Sequence, residues 1–179
     1  MAARSNMYSK IFTVCILISC ACSAFGETLS VSNNTLMKPI TLQQWNTKLK
    51  NYQPNILVVD MWAMWCTSCI ERFPEMVKLH HKYSNENISF VSMNLDDRED
   101  LESLAAANLF LNNMNADFEH FHMDENLMLT FEKLDLIGIP AVLIYDQRGA
   151  EKFRLTGDNP NKQFTEDDIE KAILELINQ

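Results

Sequence analysis

The residues best suited to chemistry in this sequence are Cys66 and Cys69, within the run Trp65-Cys66-Thr67-Ser68-Cys69. Two sulfurs at this spacing can close a small disulfide ring and reopen it, so the pair can carry two electrons without a bound cofactor. The run follows Ile56-Leu57-Val58-Val59, an uninterrupted apolar stretch of the kind that forms a strand covered on both faces. It precedes Ile70, Phe73, Met76 and Val77 at helical spacing. Cys66 is thereby predicted at the mouth of a helix, facing unpaired backbone N–H groups and the positive end of the macrodipole. That setting lowers a thiol's pKa below the ~8.5 of a free cysteine. Cys69, one turn further in, is the partner that attacks a mixed disulfide formed at Cys66 and releases the product. The competing readings are two inert buried thiols or half of a zinc site. Zinc normally takes four ligands, and no second cysteine pair stands in the sequence to complete such a site.

The other cysteines, Cys15, Cys20 and Cys22, all fall near the N-terminus. There Arg4 and Lys10 precede an uncharged stretch from Ile11 to Gly26, which is the order of a secretory signal and falls short of the roughly 20 residues of a membrane span. Leu17-Ile18-Ser19-Cys20 also has the form of a lipobox, with Cys20 acylated, and an uncleaved N-terminal anchor is the third reading. All three place the folded part outside the cytosol, in the periplasm or cell envelope. Residues 1–26 are therefore expected to be a signal, 27–40 a polar linker or irregular strand, and 41–179 one domain, which 179 residues can accommodate once. A composition of 47% hydrophobic and 22% charged residues excludes a disordered or multi-span membrane chain, and a net charge of -9 excludes a nucleic-acid partner.

The remaining elements follow from periodicity and caps. Thr41 caps a short helix to about Leu49, and the helix after the cysteines runs through Pro74, which bends it, to about Tyr83. Residues 88–93 form a strand, and Asp96, Asp97, Glu99 and Asp100 favour the start of the helix that holds Leu101, Leu104 and Ala105. Phe118 to Met123 reads as a strand, and Leu127, Phe131 and Leu134 as a helix. Ala141 to Tyr145 joins Lys152 to Leu155 in a hairpin, and Thr165 caps a last amphipathic helix. The fold class is α/β, a mixed central sheet flanked by helices on both faces.

Residues 58–69, Val58-Val59-Asp60-Met61-Trp62-Ala63-Met64-Trp65-Cys66-Thr67-Ser68-Cys69, with Pro74 and Ile139-Pro140, resemble the thioredoxin superfamily over residues 42–178. The resemblance implies a thioredoxin fold, a buried acid at Asp60 that relays a proton for Cys69, and a cis-proline loop at Ile139-Pro140 beside the redox pair. It also implies protein thiols and disulfides as partners, an electron donor, and no cofactor. Trp65, Thr67, Ser68, Ile139 and Pro140 become the residues that meet substrate. Trp62, Met64 and Trp65 have two readings, an apolar collar for such substrates or core packing, the commoner fate of these residue types. The long spacing between Cys69 and Pro140 leaves room for an added helix-strand unit around residues 98–123. With the export signal, this resembles the TlpA/ResA-like branch, whose members often act as reductants. Ile70-Glu71-Arg72 departs from that branch's basic residue directly after the second cysteine.

The rival function is a copper chaperone of the Sco type, because His120-Phe121-His122 sets two imidazoles on one face of a strand. The Sco pattern has three residues between its cysteines and this chain has two. A solvent-facing or edge-strand position is the ordinary expectation for both histidines. His80 and His81 lie too far along their helix to serve Cys66 as a base.

Overall fold

The apolar runs become the strands of one six-stranded sheet in a computed structural model of the chain, which describes residues 36–157 and 163–179. In chain order the elements are β1 (Met37–Ile40), α1 (Leu42–Lys48), β2 (Ile56–Trp62), α2 (Thr67–Lys82), β3 (Ile88–Asn94), α3 (Leu101–Asn113), β4 (Glu119–Met123), α4 (Leu127–Lys133), β5 (Ala141–Tyr145), β6 (Glu151–Thr156) and α5 (Glu166–Ile177). A 3-10 turn, Leu49–Tyr52, extends α1. The strand order is β1-β4-β3-β2-β5-β6, with β1, β4, β3 and β2 mutually parallel and β5 and β6 antiparallel.

β2 lies at the centre, hydrogen-bonded to β3 and β5, and all seven of its residues are buried. Its side chains alternate between two cores, as a pleated strand requires. Leu57, Val59 and Met61 face a core built with Leu42 and Trp45 of α1, against which Leu127 and Phe131 of α4 pack. Ile56 and Val58 face Met76 and Leu79 of α2 and Ile169, Ile173 and Leu176 of α5. Trp62 continues that second face into a cluster holding both cysteines, Phe73, Ala107 and Leu111. Asp60, between Val58 and Trp62, therefore points to the α2 face.

The helix starts are fixed by side-chain caps. Thr41 forms a capping box with Gln44, Asp100 accepts from Ser103 N at 3.0 Å, and Thr165 forms a box with Asp168. Pro74 sits inside α2, which continues past it to Lys82.

Two placements differ from the sequence expectations. Residues 37–40 are neither linker nor irregular, because β1 pairs in parallel register with β4 over its whole length and belongs to the sheet. β4 is an interior strand between β1 and β3, so His120 and His122 are buried rather than solvent-facing or on an edge strand. Of the two readings for Trp62, core packing holds, since its side chain is sealed from solvent. The signal, the lipobox at Cys20 and residues 27–35 lie outside the described residues.

Candidate redox site

β2 delivers the chain to the site and α2 begins there. Between them Ala63, Met64 and Trp65 form a turn, closed by Cys66 N donating to Ala63 O at 3.1 Å. Cys66 is the N-cap of α2, and its sulfur accepts the backbone N–H of Cys69 at 3.2 Å. The sulfur thus satisfies one of the helix's orphan donors in place of the usual hydroxyl or carboxylate. The two cysteines are joined as a disulfide with a Cα–Cα separation of 5.2 Å. Their exposure differs in the sense that exchange chemistry needs: Cys66 is 6% exposed and Cys69 fully sealed. Ser68 Oγ lies 3.7 Å from Cys66 Sγ, and Thr67 and Ser68 are exposed on the first turn. Trp65, 56% exposed, projects beside them, whereas Met64 is only partly buried against the cluster.

The Ile139–Pro140 peptide bond is cis, and Ile139 packs against the cluster that contains both cysteines. Gly157, at the end of β6, holds this loop: its N–H donates to Pro140 O at 2.8 Å, and a Cβ there would stand 2.8 Å from Pro140 Cδ. No side chain larger than hydrogen fits against the proline ring. A glycine at the end of a predicted hairpin was the only signal of this contact in the sequence.

Asp60 is wholly buried on the same face as the cysteines, and its carboxylate is paired with the guanidinium of Arg72 through Oδ1 and Nη2. Burial raises the Asp60 pKa above the ordinary carboxylate value, while the charge and hydrogen bond of Arg72 pull it back down only in part. Among the described residues, Asp60 Oδ2 and Arg72 Nε and Nη1 have no hydrogen-bond partner. The guanidinium also stacks over the Phe164 ring, 5.1 Å from its centroid. Arg72 was not singled out from sequence, although it stands three residues after Cys69 and so on the same helical face, one place where a partner for the strand's acid can lie.

Asp96 was also misassigned by sequence. It does not serve the start of α3 but is buried, and both of its carboxylate oxygens accept from Met64 N, at 3.0 and 3.1 Å. Asn94 Nδ2 donates to it at 2.7 Å, and its backbone carbonyl pairs with His122 Nε2 at 3.1 Å. This buried network ties the turn before Cys66 to the end of β3. His120 is engaged by Ser92 Oγ at 2.8 Å and Ala116 O at 3.0 Å, and burial lowers its pKa. Both histidines thus serve interior hydrogen bonding.

In chemical terms, the arrangement offers one sulfur with a small exposed edge, one sealed sulfur, a buried carboxyl on the same side of the sheet and a cis-proline loop packed against their cluster. The sequence model of the Thioredoxin family matches residues 36–110, which include Cys66, Cys69, Asp60 and Arg72. A thioredoxin of Coprinus comatus is 34% identical over 64 residues, which make up 36% of this chain and 58% of that protein, so the match spans little more than half of the relative. A thiol-disulfide isomerase from Corynebacterium glutamicum has a similar structure, with a TM-score of 0.61, 17% identity, and coverage of 73% of this chain and 85% of that one. A secreted Mycobacterium tuberculosis disulfide oxidoreductase homologous to E. coli DsbE gives a TM-score of 0.56 at 18% identity, covering 71% and 86% of the two chains. Both structures share the fold. With the sheet and the redox pair in agreement, the chain has the thioredoxin fold and is similar to the Thioredoxin family over residues 36–110.

Proposed function

We propose that this protein is a thiol-disulfide oxidoreductase of the TlpA/ResA-like branch, acting outside the cytosol on cysteines of other proteins and running as a reductase. The observation that carries the reading is the asymmetry of the pair, with Cys66 reachable as the N-cap of α2 and Cys69 sealed behind it. In the reduced protein, the Cys66 thiolate attacks one sulfur of a substrate disulfide and expels the other as a thiolate, which takes a proton from solvent. A mixed disulfide results. Cys69 then gives its proton to the Asp60 carboxylate and attacks Cys66 Sγ, so that the substrate's second sulfur leaves as a thiolate, which takes a proton from solvent, and the Cys66–Cys69 disulfide closes. Two electrons pass to the substrate, and a dithiol donor resets the pair.

Arg72 keeps Asp60 ionised enough to accept that proton despite its burial, and α3 with β4 forms the added helix-strand unit. Trp65, Thr67 and Ser68 on one side and Ile139 and Pro140 on the other line the approach to Cys66. An extended substrate segment pairs with the backbone ahead of Pro140. Export through residues 1–26, with or without acylation at Cys20, sets the compartment.

Equilibration in glutathione buffers, followed by thiol counting, tests both activity and direction. A two-electron couple with a potential well below that of glutathione supports a reductase; a potential well above it contradicts that direction while leaving exchange activity standing.

A further inference from the structure

We propose that His80, His81 and Asp117 form a surface site for a borderline divalent cation, Zn2+ being the best match, at the end of α2 away from the cysteines. One ligand atom from each residue lies within 4.8 Å of the others, and His80 Nε2 is 3.0 Å from Asp117 Oδ1. Two ligands bound at about 2.0–2.1 Å to one tetrahedral ion stand about 3.3 Å apart, so this pair reaches metal-ligand spacing by opening a few tenths of an ångström. The remaining gap is closed by side-chain rotation of His81 and Asp117, both exposed.

The fold prepares the site in three ways. Asn115, with φ of 50°, ends α3 in a left-handed residue, with Asn115 N donating to Asn112 O at 3.2 Å and Ala116 N to Leu111 O at 3.4 Å. This Schellman turn reverses the chain and sets Asp117 against the side of α2. The His80 ring is held by edge contacts to Phe90 and Phe118, with centroids 5.6 and 5.1 Å away, so its direction is fixed before any ion arrives. Finally, His80 and His81 occupy the last turn of α2, where the carbonyl end of the macrodipole favours a cation.

Two imidazoles and one carboxylate suit Zn2+ with water completing the tetrahedron, and a hard Mg2+ or Ca2+ ion would be a poor match. Eleven residues of helix separate His80 from Cys69, about 16 Å along the axis, so this site is separate from the sulfurs and independent of the redox reading.

The test titrates the full chain with Zn2+ alone, in a calorimeter, with the Cys66–Cys69 disulfide closed and every other thiol alkylated. One equivalent is expected to bind, and His81→Gln and Asp117→Asn are each expected to weaken it roughly tenfold or more, since even the loss of a residue behind the ligands costs that much. Both substitutions fall on exposed side chains and spare the packed His80 ring. The absence of saturable binding, or wild-type affinity in either variant, overturns the assignment.

Discussion

At the residue scale, Asp60 and Arg72 decide how the site responds to pH. The folded-state pKa of Asp60 lies above its reference value of 3.8, so folding tightens the hold on that proton. The stability this group contributes is present at low pH and is lost as pH climbs from 3.8 through the folded value. Arg72→Met removes the compensating charge and raises that pKa further. It is expected to cost about 3–5 kcal/mol near pH 8, as breaking a buried pair does, and visibly less as the pH falls and Asp60 takes up its proton. Urea unfolding over this pH range checks it; a loss that stays constant as the pH falls contradicts it. Asp60→Asn is expected to leave mixed-disulfide formation intact and slow its resolution by about 10–100-fold, read by stopped-flow tryptophan fluorescence. The cysteine pair was legible in the sequence because it stands between an apolar strand and a helix start, whereas Asp60 was singled out only through the resemblance to the thioredoxin superfamily. Arg72 was not. Its partner lies one element away, and an ion pair between a strand and a helix leaves no periodic trace.

At the scale of elements, the turn between β2 and α2 is positioned from β3 rather than by its own residues. Asp96→Ala removes the acceptor for Met64 N and leaves a buried N–H unpaired, at an expected cost of about 2–3 kcal/mol, with faster alkylation of Cys66 in the reduced protein. Interior strand β4 carries a buried histidine whose folded pKa falls below 6.5, so His120 is expected to remain mostly neutral at pH 6.5 in imidazole NMR spectra. A half-charged ring at that pH contradicts the packing described around it. β2, β3, β5 and α5 were readable because their apolar patterns are continuous. β1 was not, since Met37-Lys38-Pro39-Ile40 has two exposed residues, one of them a proline, and it is a strand through pairing with β4, some 80 positions away. Asp96 misled for a related reason: within a run of acids, nothing local distinguishes the one that folds inward.

At the scale of the whole molecule, the proposed electron transfer rests on one pair of sulfurs, and Pro140, Gly157 and Asp96 shape the loops around them. The order of strands and helices carried this architecture in the sequence, because parallel β-α alternation followed by a hairpin admits few topologies. The compartment rests on residues 1–26 alone; among the described residues no helix is long and apolar enough to cross a membrane. A fusion of those residues to a reporter that matures only outside the cytosol is expected to become active. The reactivity of the two sulfurs is measured most directly by reducing the protein and treating it at neutral pH with a limiting amount of iodoacetamide. Peptide mass mapping then locates the label. Alkylation confined to Cys66, with Cys69 protected until the protein is unfolded, is the predicted result; an inert Cys66, or equal labelling of the two, would contradict the account.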